Sequence, residues 1–103
     1  MEKAILVGAG PINQVVESLE ELELLLQAAG GQAVAKVIQS GANINAATYI
    51  GIGKVEEVKG CLEEHDGDLV LFDDELTPAQ SRNLERLLEV KVIDRPGLIL
   101  DDQ

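Results

Sequence analysis

The stretch "DLVLFDDELTPAQ", residues 68–80, reads as two elements and the join between them. After Asp68 come four consecutive apolar residues, Leu69 to Phe72. The run is short enough for a strand and apolar on both faces, as a strand inside a parallel sheet must be. Three acids, Asp73, Asp74 and Glu75, follow at its exit. Thr77, Pro78 and Gln80 then spell a helix start, with threonine as cap, proline at the first helical position and glutamine closing a capping box. Ala79, Leu84, Leu87 and Leu88 supply the apolar side of that helix. A buried strand that runs into a helix is half of a β-α-β unit, and the rest of the chain supplies the other halves.

Upstream, "KAILVG" (3–8) is a continuous apolar run closed by Gly8, Gly10 and Pro11, again a buried strand. Ser18 and Glu21 spell an S-x-x-E capping box, which predicts a helix that starts there. Leu19, Leu22 and Leu26 recur at helical spacing, with Val15 one turn earlier and glutamates facing away, and Gly30-Gly31 ends the pattern. "QAVAKVIQ" (32–39) is a second strand, rich in β-branched residues. Residues 40–53, "SGANINAATYIGIG", form a polar loop that is long for so small a domain, and long ordered loops tend to be functional. Residues 54–65 place Val55, Val58 and Leu62 on one helical face, where Gly60 weakens the helix by roughly 1 kcal/mol relative to alanine.

Downstream, "VKVID" (90–94) is a fourth strand. Arg95-Pro96-Gly97 is expected to turn the chain before Leu98, Ile99 and Leu100. Those three then fold back as an edge strand, cap the core, or stay exposed and drive homo-oligomerisation through the C-terminal segment. The order β-α-β-α-β-α-β predicts a single three-layer Rossmann-like α/β domain over residues 1–103, with a four-stranded parallel sheet and helices on both faces.

Composition narrows the function. A chain of 103 residues fits one compact domain, and its aromatic content of 2% makes the interior aliphatic. Nineteen acids against eight bases give a net charge of −11, and residues 53–103 carry most of it. Such a surface repels phosphate backbones, so tight nucleic-acid binding by this chain alone is not expected. No apolar run reaches the ~20 residues that span a bilayer, so no membrane partner is expected. The single cysteine, Cys61, suits a reducing cytoplasm.

"ATYIGIGKVEEV" (46–57) has the look of a phosphate loop and fails as one. A P-loop needs glycine where Thr48 stands, and serine or threonine where Val55 follows Lys54. The dinucleotide fingerprint fails at Glu56. Gly51 and Gly53 read instead as turn residues at the start of a helix. The strand exits gather Gly8, Gly10 and Asn13, then Gln39 and the long loop, then Asp73, Asp74 and Glu75, then Asp94 and Arg95. Acids there suit the positive end of the next helix better than a metal. His65 and Cys61 have no activating neighbours, so no catalytic residue, cofactor or metal site is predicted.

"ATYIGIGKVEEV" and "DLVLFDDELTPAQSRNLERLLEVKVIDRPGLILD" together resemble the N-terminal domain of HflX-type GTP-binding proteins, and the similarity covers nearly the whole chain. The matching positions are Tyr49, Gly51, Gly53, Lys54, Asp74, Glu75, Pro78, Gln80, Arg82, Asn83, Asp94 and Arg95. Pro96 departs from an expected threonine, and "SGANINAA" is a variant of a loop usually richer in charge and proline. Full-length members are GTPases that associate with the large ribosomal subunit and rescue or split stalled ribosomes. The resemblance thus implies a non-catalytic docking or regulatory domain, partnered by the large ribosomal subunit and by a GTPase domain in cis or in trans. These 103 residues hold no P-loop, so no GTP hydrolysis is expected of them. Lys54, Arg82 and Arg95 are the bases available for a local contact with RNA or protein. The alternative is a small-ligand or nucleotide-binding domain that uses the strand-end crevice with the 40–53 loop as a lid.

Overall fold

The computed structural model describes residues 1–41 and 43–101. The elements run β1 (Lys3–Gly10), α1 (Ile12–Ala28), β2 (Gln32–Ser40), α2 (Ile52–His65), β3 (Leu69–Phe72), α3 (Pro78–Leu88), β4 (Lys91–Asp94) and α4 (Arg95–Asp101). All strand pairs are parallel and the spatial order is β2-β1-β3-β4. The chain therefore winds outward from β1 in one direction and then crosses to the other, which places the reversal point between β1 and β3. The alternation of strand and helix predicted this sheet, and it is present.

Side-chain alternation in β1 and β3 splits the core in two. Ile5, Val7, Val70 and Phe72 face α2 and α3, with Val55, Val58, Leu62, Leu84 and Leu88 packed on them. Ala4, Leu6, Leu69 and Leu71 face α1, which contributes Val15, Leu19, Leu22 and Leu26. Each fully buried leucine, valine or isoleucine contributes about 1.5–3 kcal/mol relative to exposure. The central strands are consequently the fixed platform from which the loops at their carboxyl ends project.

Two local expectations give way. Helix α1 begins at Ile12 behind Pro11, and Ser18 lies inside it, so the Ser18–Glu21 capping box does not form. The chain leaves β1 through Gly10, at a φ of 136° that favours glycine, and folds at once onto the sheet. That early return brings Val15 and Leu19 over Gly8, where a Cβ would stand 2.6 Å from Val15 Cγ1. Tertiary packing outweighs the local cap.

The second correction is at the end. Arg95-Pro96-Gly97 does not turn the chain into a strand; it opens α4. Proline suits a first helical turn, and the Asp94 carboxylate caps it by accepting from Gly97 N–H at 2.9 Å. Leu98 turns inward and is 7% exposed, joining the core beneath α1. The side chains of Ile99 and Leu100, the rest of the self-association expectation, lie outside the described residues. A cavity of about 350 Å³ lies on this face, floored by Leu26, Leu69, Leu71 and Ile93.

Candidate functional site

The carboxyl ends of the strands carry the long loop between β2 and α2, and four side chains from other elements hold it. Gln39, at the end of β2, accepts from Gly51 N–H at 2.8 Å and donates to Asn43 O at 3.2 Å. Gln80 on α3 donates from Nε2 to Asn45 O at 2.9 Å, and Asn83 one turn on donates to Ala47 O at 3.0 Å. Asp74, beyond β3, accepts from the Tyr49 hydroxyl. Within the loop, Asn45 Oδ1 accepts from Ala47 and Thr48 N–H, an Asx turn, and Asn45 and Tyr49 exchange backbone bonds.

Tyr49 is the keystone of this arrangement. It is 7% exposed, its ring meets Phe72 edge-on with centroids 5.9 Å apart, and its φ of 67° is left-handed. Such a φ is uncommon for a residue with a Cβ and persists where the surroundings over-determine it. Burial pushes the Tyr49 phenol pKa up, and the hydrogen bond and charge of Asp74, with the charge of Asp73, add to the rise. The phenol stays a neutral donor. Thr48, also buried, donates to Ile50 O at 2.8 Å and completes the turn into α2.

A second cluster lies across the reversal point. Arg95 Nη2 reaches Asp73 Oδ1 at 2.6 Å, with Nε on the same oxygen at 3.1 Å. Nη2 also donates to Ser18 O at 3.0 Å and Ser18 Oγ at 3.2 Å, while Nη1 approaches Glu21 at 3.4 Å. The guanidinium therefore ties α4 to β3 and α1. Asp94, its neighbour, accepts from Leu76 N–H at 2.9 Å and pins the segment ahead of α3.

The residues singled out from sequence thus fall into two groups. Tyr49, Gly51, Asp74, Asn83, Asp94 and Arg95 are brought into the loop clamp and the arginine cluster, where each holds backbone or another side chain. Gly53, Lys54, Glu75 and Arg82 do not converge with them. Gly53 sits exposed in the first turn of α2, Lys54 pairs with Glu57 on its own helix at 2.9 Å, and Glu75 and Arg82 are exposed. Arg95 is turned inward, its side chain 23% exposed and bonded to Asp73 and Ser18. Gln39, Ser18 and the second bond of Gln80 were not assigned these roles from sequence. The signal for Gln80 was its type, a long amide at a position where a capping box needs only one end.

The crevice at the reversal point, lined by Ala9, Pro11, Gln14, Val15, Ser18, Asp73 and Asp74, has a volume of about 190 Å³. Its polar lining is Gln14, Ser18 and the carboxylates of Asp73 and Asp74, which disfavour a phosphate, and it is smaller than the roughly 300–1,000 Å³ of a small-molecule site. No group of three or more histidine, cysteine or acidic residues among the described residues has the geometry to hold a metal ion. The Cys61 thiol pKa is pushed up by burial and then by Glu57 and Glu64, the opposite of an activated nucleophile. Among the described residues no helix is long and apolar enough to cross a membrane.

Comparison with known proteins agrees with this geometry. Residues 16–101 match the family described as "GTP-binding GTPase N-terminal". The chain is 48% identical over 102 residues to the GTPase HflX of Lacrimispora saccharolytica, covering 97% of this chain and 24% of that protein. It is 43% identical over 86 residues to GTPase HflX of Escherichia coli, covering 84% of this chain and 20% of that protein. A GTP-binding protein from Sulfolobus solfataricus, solved in complex with GDP, shares the fold with a TM-score of 0.73 at 22% identity, over 99% of this chain and 30% of that one. The chain spans about a quarter of the length of its HflX relatives. It belongs to the GTP-binding GTPase N-terminal family and corresponds to the N-terminal domain of HflX-type proteins, not to their G domain.

Proposed function

We propose that this domain is a non-catalytic docking and regulatory module that works with a GTPase domain, in cis or in trans, at the large ribosomal subunit. The observation that carries the reading is the use of the strand-end side chains. Tyr49, Asp74, Gln80, Asn83 and Arg95 all bond to the domain's own backbone or to one another, which fixes a surface instead of presenting reactive groups. A rigid loop suits recognition, because little ordering entropy is lost when it meets a partner. Family membership supports the setting, since the relatives that match along this chain are named GTPases.

The nucleotide-binding alternative finds less support. The crevice at the reversal point is small and lined in part by Asp73 and Asp74, and the larger concavity of about 480 Å³ against the 40–53 loop has no lysine or arginine among its described lining residues to hold a phosphate. Sedimentation of the purified chain with isolated ribosomal subunits tests the proposal. The chain is expected to travel with the large subunit and not with the small one, and to leave GTP unhydrolysed. Failure to travel with the large subunit, either alone or with an added GTPase domain, would overturn the reading.

A further inference from the structure

Nineteen acids and eight bases are distributed through 103 residues, yet residues 4–16 and 37–53 contain none of them. The fold brings these two uncharged stretches together. Gly10 pairs in register with Ser40, and Gln39 bonds to Gly51, so the loops after β1 and β2 and the first turns of α1 and α2 form one continuous end of the molecule. Four large aliphatic side chains stand exposed on these stretches: Ile12 (56%), Val16 (42%), Ile44 (48%) and Ile52 (60%). Beside them is a concavity of about 480 Å³ whose walls include Gln39, Asn43, Ile44 and Asn45.

The absence of charge here runs against local stability. An acid in a helix's first turn contributes about 0.3–1 kcal/mol through the dipole. Neither α1 nor α2 has one, although both carry acids immediately afterwards, at Glu17 and at Glu56 and Glu57. The outcome is a neutral, apolar centre bordered by Glu17, Asp73 and Asp74 on the α1 side and, on the α2 side, by Glu56 and by Lys54, whose charge is offset by its pair with Glu57. A nucleic acid meets that border and the net charge of −11 as repulsion. A second copy of the chain brings an identical acidic border against it. The complementary ligand has apolar side chains at its centre and positive charge around them.

We propose that this end of the domain docks a protein segment whose apolar side chains are flanked by lysine or arginine. The inference names the partner chemistry for the docking module described above and rests on that reading for its setting. Its test is independent. A short peptide alternating leucine and lysine, titrated into the isotope-labelled chain, is expected to shift backbone amide resonances within residues 10–16 and 38–53. Exchanging leucine for serine, or lysine for glutamate, is expected to weaken binding, and Ile52→Asp or Ile44→Asp in the protein to weaken it by about tenfold. Leu24→Asp, at a residue 66% exposed further along α1, leaves it unchanged. Unaltered thermal melting of each variant establishes that the fold is intact.

Resonance shifts confined to the acidic helix surfaces, or indifference to Ile52→Asp, overturn the inference. Binding of a poly-uridine oligonucleotide at these residues, or a concentration-dependent dimer through them, does so too. The two readings fail separately. If the chain sediments with the large subunit but the peptide does not map here, only this surface is wrong. If the peptide maps here but sedimentation fails, only the ribosomal setting is wrong.

Discussion

Gln80→Glu separates the two tasks of one side chain. Gln80 is 5% exposed; Oε1 accepts from Thr77 N–H at 3.0 Å, which closes the capping box, and Nε2 donates to Asn45 O at 2.9 Å. Glutamate keeps the first bond, since a carboxylate oxygen accepts as an amide oxygen does. It replaces the second with an oxygen facing an oxygen. Asn45 O keeps its bond from Tyr49 N–H, so the carbonyl is not orphaned. What remains is the lost hydrogen bond, about 1 kcal/mol, and a poorly solvated carboxylate oxygen without a donor, about 1–2 kcal/mol. A carboxylate in the first turn returns about 0.5 kcal/mol through the dipole. The net loss is about 2 kcal/mol, or a melting temperature lower by roughly 8–16 °C in a domain of this size. Circular-dichroism melts at pH 7 measure it, and amide exchange shows whether residues 43–49 open first. The introduced carboxyl has its folded-state pKa raised, because its protonated form can donate to Asn45 O. The unfolded state therefore ionises first as pH rises above about 4.3, and the deficit relative to the parent is greater at pH 7 than at pH 5. A melting temperature within 2 °C of the parent at pH 7 would refute the claim that Gln80 straps the loop (the threshold being a small part of the roughly 8–16 °C expected).

Gly8→Ala places a Cβ 2.6 Å from Val15 Cγ1 and should destabilise by about 1–3 kcal/mol in chemical denaturation, with partial recovery in the Gly8→Ala/Val15→Ala double variant. Gly60→Ala, inside α2 with nothing within 4 Å of the new methyl group, should stabilise by about 0.5–1 kcal/mol; a loss of stability would show that α2 is packed otherwise. Because the Tyr49 pKa is raised in the folded state, stability should fall as pH rises past the ordinary phenol value near 10, where the unfolded chain ionises first. Tyr49→Phe should be less stable at neutral pH and should show less of that alkaline decline in denaturation curves collected at successive pH values.

The sheet was legible because its evidence is local and repeated. Runs such as Leu69 to Phe72 have to be buried on both faces, and each is followed by a helical pattern, so parallel pairing follows without knowledge of any contact. The start of α1 was not legible for a related reason. Ser18 and Glu21 match a capping box in one dimension, but whether a helix begins there depends on where β1 lets the chain return to the sheet. Gly8 and Gly10 were visible; their meaning came only with Val15 and Leu19 packed above them. The Thr77–Gln80 box, by contrast, forms where Pro78 at the first helical position fixes the start of α3. Identical local signals part company when the neighbouring strand exit differs.

The site was legible as a set of names and not as a set of roles. Lys54, Arg82 and Arg95 were grouped by charge, yet a base in sequence carries no sign of which way it points. Arg95 meets Ser18, 77 residues away, because α1 and α4 cover the same sheet face, and no pattern within either helix announces that meeting. The more informative feature was what two stretches lacked. A domain with a net charge of −11 that keeps two adjoining stretches free of acids and bases forgoes helix-dipole stabilisation and leaves isoleucines in water. Folding alone gives no reason to retain both. A binding partner does, because desolvating a charge is expensive whereas desolvating an isoleucine is favourable. On that argument the inward-turned Tyr49, Gln80 and Arg95 and the outward-turned Ile12, Ile44 and Ile52 serve one end: the first group fixes the shape that the second group presents.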